Sequence, residues 1–171
     1  MEITEDQLNE LRLRALTAID GLWFLALEKE LGFDKALEAD VEVWKQYGIV
    51  FLKRLSRMLD LKIDPGNPPD LETISFMLET MCRVDGTECE WEVVDENTSR
   101  FLVHHCSWYE NLRRAGRENT VPCEMIDNTM FRHWLDAIDP AISFEVTHSL
   151  PRGDKQCNWV LKRQKMNTES E

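Results

Sequence analysis

The sequence is short of positive charge. Its 171 residues include 20 lysines and arginines against 32 aspartates and glutamates, which gives a formal net charge of −12. Proteins that bind nucleic acids or anionic membranes use clustered basic side chains to neutralise phosphate groups. The acidic balance therefore predicts a protein that binds neither nucleic acid nor membrane, and that self-repulsion keeps dispersed in solution.

Long apolar runs are also missing. No segment approaches the roughly 20 apolar residues that a transmembrane helix needs, and the acidic start MEITEDQLNE is unlike a secretory signal. We therefore expect a cytoplasmic protein whose five cysteines are thiols or metal ligands rather than disulfides. A hydrophobic fraction of 43%, with six Trp and seven Phe, is enough for the core of one domain over residues 1–171.

Several familiar catalytic motifs are absent. The sequence has no CxxC pair, no GxSxG nucleophile elbow and no HExxH zinc-binding helix. Its PRGDK turn has too few glycines, and no following helix, to cradle a phosphate. Any site must therefore be built from reactive side chains that are spread along the chain.

The first half of the sequence has helical periodicity. Thr4 and Gln7 are placed to form a capping box at the start of a long helix, and Gly32 offers a stop. One apolar stripe follows this helix at steps of three and four: Leu8, Leu11, Ala15, Ala18, Leu22 and Leu25. A second helix comes directly after it, so residues 1–63 are predicted to form an antiparallel helical hairpin, through which the chain could form a homo-oligomer. The linker DPGNPPD, at 64–70, ends the hairpin.

The second half, 71–163, mixes helices with strands. A short helix at about 70–82 precedes two alternating runs around the turn DENT; next come a helix capped by Ser107, a helix that starts at VPCEMID, and a second strand pair. The order ααα-ββ-αα-ββ contains no βαβ unit. It predicts an α+β domain in which the hairpin covers a four-stranded antiparallel sheet. The polar tail, 164–171, is expected to fray.

Three cysteines lie at the ends of predicted elements. Cys106 ends a strand, Cys123 begins a helix and Cys157 begins the last strand. If the three thiolates met, they would form a soft site for zinc or another thiophilic metal. The helix dipole would also favour a reactive, low-pKa thiolate at Cys123. Separate, buried packing residues are the alternative interpretation.

Neighbouring ionisable residues could complete such a site. Asp127 lies one helical turn after Cys123, where it could act as a base or orient a metal-bound water, or could equally be a surface acid near the start of the helix. His105 and His148 lie on strands, on faces that they share with apolar residues, so each is either a site residue or a core histidine with a hydrogen-bond partner. His104 points to the other face of its strand.

A local basic island follows the first strand pair. Arg113 and Arg117 stand out in an acidic chain and could bind a substrate carboxylate. The alternative is a solvated helix face on which these arginines pair with Glu110 and Glu118.

The C-terminal half resembles a known family. The segments HHCSWYENLRRAG, VPCEMID and DPAISFEVTHSLPRGDKQCNW are similar to the L-2-amino-thiazoline-4-carboxylate hydrolase-like family over about residues 100–162. The residues in family positions are Cys106, Gly116, Cys123, Asp127, Phe144, Thr147, Gly153, Asp154 and Cys157. The N-terminal helices look more like those of a related, uncharacterised bacterial and archaeal family.

The resemblance implies a hydrolase that opens a cyclic amidine or thiazoline at its C=N carbon, a C–N bond other than a peptide bond. The expected residues are Cys123, Asp127 and His105 for catalysis, Arg113, Arg117 and His148 for substrate binding, and Cys106, Cys123 and Cys157 for a metal. The same half is distantly similar in layout to 4-vinyl reductase domains, which bind small ligands. A non-catalytic small-ligand or metal-binding sensor is therefore the alternative, and it should have an apolar pocket with few polar groups.

Overall fold

The structure, a computed structural model, describes residues 2–164. The helices are α1 (Glu5–Leu31), α2 (Phe33–Met58), α3 (Leu71–Val84), α4 (Ser107–Arg114) and α5 (Cys123–Asp136), and the strands are β1 (Thr87–Asp95), β2 (Thr98–Cys106), β3 (Ile142–His148) and β4 (Cys157–Arg163). The strands form one antiparallel sheet in the order β1-β2-β4-β3. The predicted α+β class and element order are confirmed. Beyond Gln164, the predicted tail lies outside the described residues.

The helical hairpin begins where the sequence predicts. The Thr4 hydroxyl accepts a hydrogen bond from the Gln7 backbone N–H, and the Gln7 side chain accepts one from the Thr4 N–H. Gly32, at φ 84°, separates α1 from α2 in a conformation that favours glycine. No helix in the described part of the chain is long and apolar enough to cross a membrane.

Helix α2 approaches α5 closely at Gly48. The indole of Trp134 occupies the space that a Cβ at Gly48 would need. Trp134 Nε1 also donates to the backbone carbonyls of Trp44 and Lys45, at 3.2 and 3.1 Å. Because α5 itself packs on β3, this contact attaches the hairpin to the layer that contains the sheet.

The main core lies between the sheet and helices α3 and α5. Its most buried apolar residues, each at most 1% exposed, are Ile74, Met77, Leu78, Met81, Phe101, Val103, Leu135, Ile138, Ile142 and Leu161. The rings of Phe131 and Phe144 stack at 4.5 Å and join α5 to β3. The hairpin therefore forms an outer layer, which packs mainly on α5 rather than on the strands themselves.

The apolar stripe predicted along α1 faces mostly away from the domain, although Leu25 borders the space between the hairpin and the sheet layer. We call it the outer stripe: Leu8, Leu11, Ala15, Ala18, Leu22 and Leu25. Five of its six residues are exposed, Leu22 to 69%. Helix α1 packs on α2 through a different face, which includes the buried Thr17 and the partly buried Phe24.

Irregular strand pairing moves two histidines out of their predicted positions. In the β1–β2 ladder the register skips His104, so that alternation breaks and His105 is exposed. A similar irregularity in β3, next to His148, leaves that residue exposed as well. The prediction that His105 and His148 share buried apolar faces is wrong, because a bulge reverses the direction of every residue after it.

Candidate functional site

A cavity of about 280 Å³ lies between the helical hairpin and the sheet layer. Residues of α1, α2, α4, α5, β2 and β4 contribute to its wall. Most of the lining side chains are large and apolar or aromatic, including Phe24, Trp44, Val103, Trp108, Leu112, Ile126, Met130, Phe131, Trp134 and Trp159. A concave, aromatic-rich site of this kind suits a small, largely apolar molecule.

The three cysteines at element ends all line this cavity, together with Asp127. The Cys106 sulfur accepts the Tyr109 N–H at 3.5 Å, and the Cys157 sulfur accepts the Leu150 N–H at 3.3 Å. The negative charge of the Asp127 carboxylate raises the pKa of all three thiols. These groups therefore share one chemical environment.

The start of α4 differs in detail from the prediction. Cys106, rather than Ser107, is the N-cap residue of this helix. The Ser107 hydroxyl instead donates to the carbonyl of Gly86 at 2.8 Å and ties α4 to the start of β1. Capping through a sulfur is part of what turns Cys106 toward the cavity wall.

The cavity thiols are protonated at neutral pH. Burial raises the pKa of Cys123 to about 12, and the charges of Asp127, Cys106 and Cys157 add to the shift. Burial likewise raises the pKa of Cys157 to about 12 and raises that of Cys106. Cys123 does begin α5, but burial and a nearby carboxylate outweigh the helix dipole, so the predicted low-pKa thiolate is absent.

Three sulfurs and one carboxylate are donor types that zinc prefers. Among residues 2–164, however, no group of three His, Cys, Asp or Glu side chains is placed to hold a metal ion. The chemistry of the donors suits the metal, but their placement does not. The metal site stays a prediction.

A pair of carboxyls lines the cavity at the hairpin. Asp20 of α1 and Asp40 of α2 hydrogen-bond to each other, and Trp44 Nε1 donates to Asp20 at 3.0 Å. Burial raises the pKa of Asp40 to about 7, and the charge of Asp20 adds to this shift. Sequence analysis missed the pair, although an acid on the face of α1 that also carries Thr17 and Phe24 is a visible signal.

Two more carboxyls line the cavity elsewhere. Asp85, just after α3, accepts a hydrogen bond from the Tyr47 hydroxyl at 3.0 Å, and burial raises its pKa to about 7. Burial also raises the pKa of Asp127 to about 7, with a contribution from the charge of Glu124. Near pH 7 these cavity acids can therefore gain or lose a proton easily.

Arg117 is the one predicted substrate-binding residue that lines the cavity. Its guanidinium binds Glu28 of α1 through two hydrogen bonds, at 2.6 and 2.7 Å, and lies 5.5 Å from the centre of the Phe24 ring. Arg117 thus connects the loop after α4 to α1. Its charge is already satisfied by a carboxylate of the same chain.

The other predicted substrate-binding residues lie elsewhere. Arg113 pairs with Glu110 on the outside of α4, at 3.0 Å, which is the solvated-face alternative. The exposed His105 and His148 are not among the cavity residues. A catalytic role for His105 therefore lacks a geometric basis in this cavity.

A family model matches residues 3–162, and its description is Family of unknown function (DUF6125). The chain belongs to this family. A search of the curated proteins found no match to the chain. Membership in DUF6125 covers both the hairpin and the sheet but assigns no activity, so the resemblance to the hydrolase-like family stays a prediction.

Two solved structures have folds similar to that of this DUF6125 chain. One is the phenol-responsive sensory domain of the transcription activator PoxR with phenol, at 16% identity and a TM-score of 0.56, over 86% of this chain and 73% of that chain. The other is subunit 3 of a trafficking protein particle complex from Naegleria fowleri, covalently bound to palmitic acid. It has 11% identity and a TM-score of 0.58, over 91% of this chain and 97% of that chain. Identities this low show a shared fold alone.

Proposed function

We propose that this DUF6125 chain is a sensing domain that binds a small, largely apolar molecule in the cavity between the hairpin and the sheet. The observation that carries the proposal is the aromatic-rich cavity of about 280 Å³. Burial of ligand surface there contributes about 2.5 kcal/mol for each 100 Å² of apolar area, before the costs of association are subtracted. An apolar ligand can therefore bind without a metal or a covalent bond.

The fold comparison supports this proposal. The PoxR domain was solved with phenol, and the Naegleria subunit was solved with covalently bound palmitic acid. Both molecules are largely apolar, although they differ greatly in length. A cavity in a chain of similar fold is the natural place for a ligand of the same general character.

Binding can be followed through the indoles in the cavity wall. We expect phenol to change the tryptophan fluorescence saturably, because Trp44, Trp108, Trp134 and Trp159 line the site. Thr17→Phe adds bulk to the cavity and should weaken binding about tenfold or more. Asn9→Phe, on the exposed side of the same helix, should leave binding unchanged. Equal binding by the two variants, or none by the wild type, would contradict the proposal.

Hydrolysis of a cyclic amidine or thiazoline is the second candidate. Asp127 favours it, because a carboxyl with a pKa of about 7 beside a substrate cavity suits a general base. The protonated Cys123 and the exposed His105 argue against it. A panel of cyclic amidines followed by mass spectrometry is the test. Ring opening that is lost in Asp127→Asn would support catalysis, and binding without turnover would favour the sensing domain.

A further inference from the structure

The hairpin side of the cavity carries two carboxyls that no basic side chain of the described residues neutralises. Asp20 and Asp40 hydrogen-bond to each other and line the cavity. Within residues 2–164, no lysine, arginine or histidine forms an ion pair with either. Two carboxyls in contact cannot both be charged at low cost unless a cation lies beside them.

The rest of the described cavity wall offers no such cation. Its basic residue, Arg117, is bound by both oxygens of Glu28. Asp85 and Asp127 add two more carboxyls to the same wall. The described cavity wall therefore has an excess of acid, which either a proton shared by the pair or a cationic ligand can offset.

Aromatic side chains adjoin the carboxyl pair. Trp44 donates its indole N–H to Asp20, and its ring contacts that of Trp108, edge to face, at 4.8 Å. The faces of such rings attract organic cations, as in the aromatic cages that bind ammonium groups. Trp159 also lines the cavity. It is 6% exposed, and its Nε1 has no acceptor among the described residues, so a ligand that also carries a hydrogen-bond acceptor could bind there.

We propose that the cavity binds an apolar amine, whose ammonium group lies against Asp20 and Asp40 while its hydrocarbon or aromatic body fills the rest of the space. This inference rests on the proposed function and names the class of ligand. A neutral apolar molecule would satisfy the aromatic wall but leave the carboxyl pair to share a proton. An anionic ligand would face four carboxyls and one occupied arginine.

Three probes with one body and different head groups test the proposal: 4-phenylbutylamine, 4-phenylbutan-1-ol and 4-phenylbutanoate. We expect the amine to bind about tenfold more tightly than the alcohol, and the carboxylate to bind most weakly. Asp20→Asn and Asp40→Asn should remove the preference for the amine while alcohol binding persists. Glu38→Gln, at an exposed acid of the same helix α2, is the matched control and should change neither affinity.

The outcomes separate this proposal from the proposed function. Equal affinity for amine and alcohol, or a preference that survives both Asp substitutions, overturns the amine class and leaves ligand binding intact. Absence of binding by all three probes also overturns it, and the phenol titration then decides whether the proposed function itself stands. Each Asp→Asn change removes one of two like charges, so the fold should persist. If circular dichroism shows otherwise, the preference of the wild-type protein decides alone.

Discussion

Asp127 and Asp136 lie on the same helix, about two and a half turns apart, yet their surroundings give them different properties. Asp136 pairs with Arg132 at the surface. Asp127 has no ion-pair partner among the described residues and lines the cavity beside three thiols. At the scale of single residues, burial decides which groups of this chain carry charge.

The raised thiol pKa values predict low reactivity. Cys123 and Cys157, each with a pKa of about 12, should react with iodoacetamide at pH 7.5 at least about tenfold more slowly than an unperturbed thiol, because the thiolate is the nucleophile. Peptide mapping after timed alkylation measures this. Asp127→Asn removes one charge that opposes the thiolate and should speed modification of Cys123, whereas Asp136→Asn should not. Rapid, selective labelling of Cys123 in the wild-type protein would refute the assignment.

At the scale of helices, contacts with neighbouring helices determine which side chains a position can hold. The backbone of α2 at Gly48 touches the indole of Trp134, whereas Gly21 of α1 has no atom within 4 Å of the place where its Cβ would be. The two glycines lie in adjacent helices but serve different purposes. Gly48 permits a close approach of α2 and α5, whereas Gly21 only lowers the helix propensity of α1.

This contrast gives a matched pair of substitutions. Gly48→Ala should lower the free energy of unfolding by about 1–3 kcal/mol, because the added methyl group overlaps the Trp134 ring. Gly21→Ala should raise it by up to about 1 kcal/mol, through helix propensity. Urea denaturation of both variants is the measurement. A neutral Gly48→Ala would show that α2 and α5 can move apart at little cost.

The outer stripe of α1 has the same order of residue types and the same spacing from either end of the helix. Its positions are symmetric about the midpoint between Leu16 and Thr17, so in an antiparallel pair of α1 helices the leucines meet leucines and the alanines meet alanines. Exposed apolar repeats at steps of three and four are typical of helix–helix seams, and a two-fold pair uses the same surface twice. The predicted homo-oligomer through the N-terminal helices therefore remains a specific hypothesis.

We expect the chain to form a dimer through the outer stripe. Leu22→Glu places a charge in the seam and should shift the molar mass measured by light scattering from that of a dimer to that of a monomer. Glu30→Lys changes the charge of the same helix on a different exposed face and should leave the dimer intact. A wild-type chain that stays monomeric at about 100 μM, well above the Kd of a specific dimer, would contradict this prediction.

The helices and strands of this chain can be predicted from the periodicity of its sequence, but the way these elements pack against each other cannot. The capping box, the Gly32 stop, the linker and both strand pairs are visible in the sequence, because each depends on neighbours a few residues away. The face that α1 buries, the bulge at His104 and the meeting of Asp20 with Asp40 depend on residues far along the chain. The cysteines could be placed at element ends, but their protonation follows from a cavity that no local pattern reveals.

At the scale of the whole molecule, folding moves carboxyls from water into a poorly solvated cavity. The folded pKa of Asp40, Asp85 and Asp127 is about 7, whereas the unperturbed value is 3.8. Between those values the folded chain binds more protons than the unfolded chain, so the free energy of unfolding falls as the pH rises. Below about pH 4, and above the folded pKa, these groups no longer change stability with pH.

The melting temperature should therefore be higher at pH 5.5 than at pH 8. Each kcal/mol lost between these values lowers Tm by about 2–4 °C in a chain of this size. Differential scanning calorimetry in high salt, which screens repulsion among surface charges, isolates the contribution of the buried groups. The triple variant Asp40→Asn, Asp85→Asn, Asp127→Asn should flatten the profile. A wild-type protein that is more stable at pH 8 would reverse the sign and disprove the account.

The contact between Gly48 and Trp134 also limits which substitutions sequences of this family can accept. A side chain at position 48 is compatible with this helix pair only if position 134 gives up volume, so the two positions should change together or not at all. Aligned DUF6125 sequences that carry alanine or serine at 48 should hold a smaller residue than tryptophan at 134. In such lineages the carbonyls of Trp44 and Lys45 would no longer accept an indole N–H and would keep only their hydrogen bonds within α2.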